Sequence, residues 1–219
     1  MTSHAPFRRI AFAAAIALLL AATGCLQMEQ SFVFARDGSC IVTWNVSVPS
    51  AIRPALEQAA RTGQEKFNLT RLPFWPPDRE TVQAYCDSHP GIELREYRDY
   101  QENGRSKLEI VVLAREALPA FNSEAFPGFM LRRDDLGDLT LTRHIPILKD
   151  KFHPAELKAL RPLLQDAVLT LKVQVPTAII EGNGRQPQFN QSVWIWTAEP
   201  KGDELPFFGN TLDKVSLKW

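Results

Sequence analysis

Three cysteines are the residues of this 219-residue chain that are best suited to covalent chemistry. Cys25 ends a run of apolar residues, whereas Cys40 and Cys86 lie further along the chain. A thiolate is a good nucleophile that can accept a lipid, and two thiols can form a disulfide. The three cysteines are too few for a disulfide-dense scaffold and do not have metal-ligand spacing. Lipid attachment and a single disulfide are therefore the chemistries to consider.

The segment before Cys25 is typical of an export signal. Arg8 and Arg9 are followed by a run without a charge over residues 10–24. This run is shorter than the roughly 20 apolar residues of a transmembrane helix, and it fits the hydrophobic region of a signal peptide. It ends in the small residues Ala22-Thr23-Gly24, directly before the cysteine.

The order of small residues followed by Cys25 resembles the lipobox of bacterial lipoproteins. The resemblance implies that the Cys25 sulfur receives a diacylglycerol, that residues 1–24 are removed, and that the new amino terminus is acylated. Ordinary secretory cleavage near residues 21–23 and an uncleaved anchor are the alternatives. Leu26 is not the Asp that often retains lipoproteins in the inner membrane of enteric bacteria. In a host with two membranes, we therefore expect the protein to be anchored in the outer membrane and to face the periplasm.

Composition excludes several classes of protein. The 25 basic and 25 acidic side chains balance, so the strong positive charge of a nucleic-acid-binding protein is absent. Removal of residues 1–24 takes Arg8 and Arg9 and leaves 23 basic against 25 acidic residues. A slightly acidic domain gains little from anionic headgroups, so acyl chains must hold it at the membrane. The membrane, reached through this lipid anchor, is the expected first partner.

Cys40 and Cys86 are candidates for a disulfide. Cys40 lies on the inward parity of a predicted strand, and Cys86 shares the apolar face of a predicted helix, so both thiols are expected to point to the core. Disulfides persist in the oxidising compartment to which an export signal leads. Two unpaired buried thiols are the alternative, because free cysteine is among the most buried residue types.

No other pattern indicates catalysis, a cofactor or a metal. The acidic turn of Asp134, Asp135 and Asp138 lacks the calcium-loop spacing, and aspartate is common in turns because it caps them. There is no GxSxG or HExxH motif. Gly182-Asn183-Gly184 is not part of a phosphate-binding motif and is interpreted as a turn that requires positive φ. We assign no catalytic, cofactor-binding or metal-binding residue.

A proline- and aromatic-rich loop over residues 69–77 is the candidate contact surface. Arg71, Phe74 and Trp75 are placed to touch lipid headgroups or a partner protein, since Trp suits an interface with one apolar and one wet side. The alternative is that these aromatic side chains fold back over the core.

Alternating apolar residues predict several hairpins. The first joins strands on either side of Asp37-Gly38. A three-residue loop with Gly38 in the left-handed conformation places Phe34 opposite Cys40 and keeps both apolar sets on one face. Further hairpins are predicted around Asn103-Gly104 and around residues 134–137. The run from Val193 to Trp196 is apolar on both faces, which indicates a central strand covered on both sides.

Helices are predicted over residues 51–66 and 78–88, as a short piece within 115–127, and from Pro154 onward. Together with the hairpins, they predict an α+β fold, a largely antiparallel β-sheet with three to four short helices packed on it. The expected organisation is a signal peptide over residues 1–24 and a single extracytoplasmic domain over residues 25–219.

The two ends of the chain are similar to LppM-like bacterial envelope lipoproteins. At the start, the similarity rests on a lipobox, a strand, the turn Asp37-Gly38-Ser39 and another strand. At the end, it rests on residues 171–176, Gly182-Asn183-Gly184 and Val193-Trp194. The resemblance implies a β-rich extracytoplasmic domain and supplies no catalytic residues.

The expected function is that of a lipid-anchored cell-envelope protein with a non-enzymatic binding or assembly role. Because strand patterning begins at Leu26, the domain is expected to sit close to the bilayer, and its ligand to be a lipid, a glycolipid or an envelope protein. An envelope hydrolase with a dispersed site and a purely structural lipoprotein are the alternatives.

Overall fold

A computed structural model of the chain describes residues 26–54, 56, 57, 78–143, 167–197 and 215–219. Strands account for 55% of these residues and helices for 14%. In chain order the elements are β1 Gln27–Phe34, β2 Cys40–Pro49, α1 Arg79–Asp87, β3 Ile92–Glu102, β4 Arg105–Ala114, α2 Ala117–Phe121, β5 Phe129–Arg133, β6 Leu139–Arg143, β7 Val168–Gln174, β8 Glu181–Gly182, β9 Arg185–Gln188, β10 Gln191–Thr197 and β11 Val215–Lys218.

The strands form two sheets. The large sheet has seven strands in the order β3-β4-β2-β1-β7-β10-β9, and the small sheet has four in the order β5-β6-β11-β8. β1 and β7 are parallel, and the other pairs are antiparallel. The short β8 and β9 follow each other in the chain, so the polypeptide passes directly from the edge of one sheet to the edge of the other.

The prediction for the first hairpin is confirmed. Phe34 pairs with Cys40 and Phe32 with Val42. Gly38 has a φ of 87°, and the N–H of Ala35 donates to the carbonyl oxygen of Ser39 across the loop. This register places both apolar sets on the face of the large sheet that is turned toward the core.

The other two predicted hairpins are also confirmed. β3 and β4 turn at Asn103-Gly104, where both residues have positive φ, as the twist of a two-residue hairpin requires. β5 and β6 turn at residues 134–137, and the carboxylate of Asp134 accepts the backbone N–H groups of Leu136 and Asp138.

An aromatic cluster fills the space between the sheets. The Phe32 ring lies 4.9 Å from Phe129, and the Phe34 ring lies 4.9 Å from Trp219, centroid to centroid. Phe121 of α2 packs against Phe32 and Phe34. All five side chains are buried. Each such pair contributes about 0.5–1.5 kcal/mol beyond the burial of its apolar area.

The two helices pack at different places: α1 packs against β3 of the large sheet, and α2 packs against β5 of the small sheet. Asp78 caps α1 by accepting the N–H of Thr81, as expected, and this hydrogen bond lowers the pKa of the carboxyl group. Val82 and Cys86 are the buried residues of α1. The Tyr85 hydroxyl donates to a backbone carbonyl of residues 124–125 and ties α1 to the segment after α2. No helix among the described residues is long and apolar enough to span a membrane.

The predicted fold class is wrong. The described residues are mainly strand and form two sheets with two helices, rather than one sheet covered by three to four helices. The physical reason is that the small sheet, and not a layer of helices, covers the centre of the large sheet. The helices predicted over residues 51–66 and from Pro154 lie mostly outside the described residues.

The interpretation of residues 193–196 as a strand covered on both faces is also wrong. Trp194 is buried, but Ile195 on the opposite face remains 50% exposed. β10 is followed only by the four-residue strand β9 at the edge of the large sheet. The outer face at this strand is therefore open to solvent.

Polar side chains protect two of the sheet edges that the structure describes, those at β3 and β5. Along β3, charged residues form cross-strand ion pairs, such as Arg98 with Glu109, and a bulge follows Leu94. Along β5, the side-chain amide of Asn122 accepts the N–H of Leu131 at 3.1 Å and donates to its carbonyl oxygen at 2.7 Å. Asn122 therefore occupies the position that another strand would take, and such edges are otherwise open to aggregation.

We expect Asn122→Ala to lower the free energy of unfolding by roughly 1–3 kcal/mol, because it leaves two part-buried backbone groups of Leu131 without their partner. Urea denaturation measures this change. The control is Asn45→Ala on the exposed face of β2, which should stay within about 0.5 kcal/mol of the unchanged protein. Equal effects of the two substitutions would show that Asn122 does not protect this edge.

Candidate functional site

Four of the predicted site residues lie outside the described residues. They are Cys25, the expected lipid attachment point, and Arg71, Phe74 and Trp75 of the candidate contact loop. The described residues nevertheless fix the surroundings of the chain at Leu26 and the positions of Cys40 and Cys86.

Cys40 and Cys86 both belong to the core, as expected, and both are free thiols. Cys40 begins β2 and pairs with Ala114 of β4, which pairs in turn with Ile92. Cys86 lies in the last turn of α1, and its carbonyl oxygen accepts the N–H of His89 just before β3. The two residues therefore belong to one core, with β4 and β3 between β2 and α1. A disulfide between them stays a prediction.

Burial makes both thiols weak acids. Loss of solvation raises the pKa of Cys40 well above its ordinary value and that of Cys86 to about 11. The adjacent carboxylate of Asp87 adds a smaller upward shift at Cys86. A thiol acts as a nucleophile through its thiolate, so neither side chain is suited to nucleophilic chemistry at neutral pH.

Two carboxylates of the acidic turn, those of Asp134 and Asp138, share one ion-pair partner within the fold. The Lys218 ammonium lies 2.8 Å from an oxygen of Asp134 and 3.2 Å from one of Asp138. The hydrogen bond from Lys218 is the main cause that lowers the pKa of Asp134. Among the described residues, no group of three or more His, Cys, Asp or Glu side chains could hold a metal ion.

The segment Gly182-Asn183-Gly184 connects the two sheets. The Asn183 side-chain oxygen accepts the indole N–H of Trp194 in the large sheet and the backbone N–H of Ser216 in the small sheet, both at 3.0 Å. A Cβ atom on Gly184 would lie 2.3 Å from the Ser192 hydroxyl oxygen. The interpretation as a positive-φ turn is wrong, because neither glycine is among those with positive φ. Close packing of Gly184 against Ser192 and Trp194 is what requires the absence of a side chain.

The chain enters the large sheet directly after Cys25. Leu26 is buried, its carbonyl oxygen accepts the N–H of Val168, and β1 begins at the next residue. We call the part of the fold around Leu26 the proximal end. β1 then runs eight residues to Phe34, a span of about 25 Å at 3.3 Å per residue.

Three large apolar side chains stand exposed at the opposite end of the fold. Leu136, Ile180 and Phe189 are 86%, 60% and 73% exposed. We call these three residues the distal surface. The sequence patterns do not single them out, because all three lie in turns or loops between the strands. One feature of the sequence could have indicated Leu136: the turn from Asp134 to Asp138 does not need a leucine to form.

The fold of the chain, but not its sequence, is similar to that of known proteins. No protein-family model matches the chain, and no curated protein matches it. The fold is similar to the folded domain of the Mycobacterium tuberculosis LppM protein, solved by NMR, with 13% sequence identity and a TM-score of 0.46. The likeness covers 90% of each chain.

We expect the buried thiols to make the protein less stable as the pH rises from about 9 to 11. An unfolded thiol ionises near its ordinary pKa of 9, whereas folded Cys86 stays protonated up to about 11. Ionisation therefore favours the unfolded state over this range, and Cys40 acts in the same direction. Urea denaturation at several pH values measures the loss.

The matched variant for this experiment is Cys86→Ala. It is expected to be less stable at every pH, because it removes a buried group, and to lose less stability between pH 9 and 11. An unchanged pH dependence in Cys86→Ala would contradict the assignment of the loss to this thiol.

Proposed function

We propose that this chain is a lipid-anchored protein of the bacterial cell envelope with a non-enzymatic binding or assembly role. The proposal is carried by the export signal that ends in small residues before Cys25. In it, residues 1–24 are a lipoprotein signal peptide that is removed, and residues 25–219 form a single extracytoplasmic domain. The Cys25 sulfur carries the lipid.

The described structure supports a position close to the bilayer. Because Leu26 is already buried within the large sheet, no flexible tether separates the domain from a lipid on Cys25. The lipid therefore holds the proximal end of the domain at the membrane surface. In a host with two membranes, we propose that the protein is anchored in the outer membrane and faces the periplasm. The reason is that position 26 is Leu and not the Asp that often retains lipoproteins in the inner membrane.

The binding role is proposed on the same basis. A domain held at a membrane meets lipids, glycolipids and envelope proteins, and one of these is the proposed partner. Arg71, Phe74 and Trp75 remain candidate contacts, because an aromatic-rich loop with a basic side chain suits the boundary between lipid and water. Nucleic acid is not proposed, given the balanced charge of the chain.

We expect Cys25→Ala to abolish labelling by a palmitate analogue, with a loss of at least tenfold relative to the unchanged protein. The reason is that the sulfur and the new amino terminus created at Cys25 are the two sites of acylation. Labelling in host cells, followed by gel separation and mass analysis of the amino terminus, measures the change.

Cys40→Ala is the control for this experiment, because its thiol is buried and should leave the label unchanged. Persistent labelling of Cys25→Ala would refute the anchor. An amino terminus created by cleavage near residues 21–23 would favour ordinary secretion, and an intact residue 1 would favour an uncleaved anchor.

A further inference from the structure

We propose that the turn between β3 and β4 rests on the phospholipid headgroups of the membrane that holds the lipid of Cys25, and that this second contact fixes the orientation of the domain. We call residues 99–107 the proximal hairpin. The inference rests on the proposed function, because it takes the lipid on Cys25 as the first contact. It deepens that function by assigning a ligand, the headgroup layer, to one part of the fold.

The register of the large sheet places the proximal hairpin at the anchored end. Gln27, the first residue of β1, pairs with Ser47 of β2. Ser47 pairs in turn with Lys107 of β4, and Lys107 pairs with Tyr100 of β3. These four residues therefore form one row across the sheet, next to Leu26 at its proximal end.

The turn of the hairpin reaches further than Leu26. Leu26 lies one residue beyond this row, whereas Asn103-Gly104 lies three residues beyond it, counted from Tyr100 and from Lys107. At about 3.3 Å per residue, the turn extends roughly 7 Å past the level of Leu26. The Cα atom of Cys25 is about 3.8 Å from that of Leu26, because a peptide bond joins them. The turn therefore reaches the headgroups when β1 stands upright on the membrane.

The second contact lies to the side of the first. β4 and β3 are two and three strands away from β1 in the large sheet. Because neighbouring strands are about 4.8 Å apart, the turn is roughly 10–15 Å from the line of β1. A lipid alone leaves the domain free to rock about its attachment, whereas two separated supports hold the sheet upright.

The segment after β2 braces the turn. The N–H of Ser50 donates to the carbonyl oxygen of Gly104 at 2.9 Å, and the Ser106 hydroxyl donates to the Ser50 hydroxyl at 3.2 Å. Asn103 and Gly104 both have positive φ, the conformation of a tight two-residue hairpin. The turn therefore keeps its position relative to the sheet.

The exposed side chains of the hairpin suit a headgroup layer. Tyr100 is 41% exposed, and the Lys107 ammonium lies over its ring, 6.0 Å from the centroid. Tyrosine is enriched where one end of the side chain is apolar and the other wet, and lysine keeps its charge in water while its stem covers apolar surface. The residues nearest the turn are polar and exposed, namely Gln101, Glu102 and Asn103. The hairpin is therefore suited to lie among headgroups and not to enter the hydrocarbon.

The charges at this end of the sheet balance. The proximal hairpin and the segment 50–57 that bonds to it carry three basic and three acidic side chains, which are Arg53, Arg105 and Lys107 and Glu57, Asp99 and Glu102. Arg53 forms ion pairs with both Asp99 and Glu57, and Lys107 forms one with Glu102. The contact therefore does not require anionic lipids, and headgroups without a net charge are sufficient.

The anchor itself selects the occupant. Once the lipid of Cys25 is inserted, the headgroups meet the hairpin at a high effective concentration, and even a weak contact is then populated. A separate protein has no such advantage at this position.

The test uses the full-length acylated chain, purified from host membranes and placed in phosphatidylcholine vesicles. A nitrobenzoxadiazole fluorophore is attached at Gln101→Cys in the hairpin or, as the matched control, at Arg36→Cys, an exposed position past the other end of β1. Cys40 and Cys86 are buried and stay unlabelled. A nitroxide on the phosphatidylcholine headgroup quenches a fluorophore that lies close to it, and quenching is the ratio of emission without and with this lipid.

Two further substitutions separate a contact from mere closeness to the anchor. Tyr100→Ala removes the proposed headgroup contact. Ile41→Ala is the matched control, because Ile41 is 44% exposed on the same face of the sheet but at the opposite end of β2. Circular dichroism verifies that each variant folds, and mass analysis verifies the lipid on the amino-terminal peptide.

The expected result is quenching at position 101 that is at least fivefold stronger than at position 36. Tyr100→Ala should weaken it at least twofold, and Ile41→Ala should leave it unchanged. Equal quenching at the two positions, or quenching at position 101 that Tyr100→Ala does not weaken, would overturn the inference. Either result on a lipidated chain rejects the inference alone, whereas an amino-terminal peptide without lipid rejects the proposed function and the inference with it.

Discussion

The contact between the aromatic faces of the two sheets is the interaction on which the rest of the structure depends. Phe32 and Phe34 belong to the large sheet. Phe129 begins β5 of the small sheet, and Trp219 directly follows β11 of the same sheet. The Phe32 ring packs against Phe129, and the Phe34 ring packs against Trp219. Neither face could remain in water, so each sheet exists because the other covers it. Trp219 is also held by two backbone hydrogen bonds to Leu139, which places the last described residue in the core rather than at the surface.

This contact imposes a second constraint, because two open sheets have free edges, whereas a closed sheet has none. The chain meets the constraint with side-chain amides. Asn122 pairs with the free edge of β5, and Asn183 joins β10 to β11 where the polypeptide crosses between the sheets. The Arg143 guanidinium lies over the Phe129 ring, 4.9 Å away, and burial lowers its pKa to about 10. Polar groups thus specify how the apolar sheets meet.

Local patterns in the sequence were sufficient to predict the hairpins. The two-residue alternation around Asp37-Gly38 fixes the register, since only the three-residue loop keeps Phe34 and Cys40 on one face. The capping position of Asp78 and the turn at Asn103-Gly104 follow from similarly local chemistry.

Long-range pairing could not be predicted from the sequence. The hairpin of β5 and β6 is predicted from its turn, but nothing in these segments or in β11 indicates that they form a sheet separate from the large one. Helices were therefore expected to cover the large sheet. The role of Gly184 likewise depends on Ser192 and Trp194, which approach it only in the folded chain.

We propose that a lipid at Cys25 holds the proximal end of the fold at a bilayer and leaves the distal surface in water. The most direct measurement is the depth of spin labels on the acylated chain in vesicles, with labels at Gln27→Cys in one sample and Phe189→Cys in another. The buried Cys40 and Cys86 thiols resist such labelling, since burial raises their pKa values. We expect the label at position 27 to lie at the headgroups and the label at position 189 to lie about 25 Å further out. Labels at the same depth would contradict it.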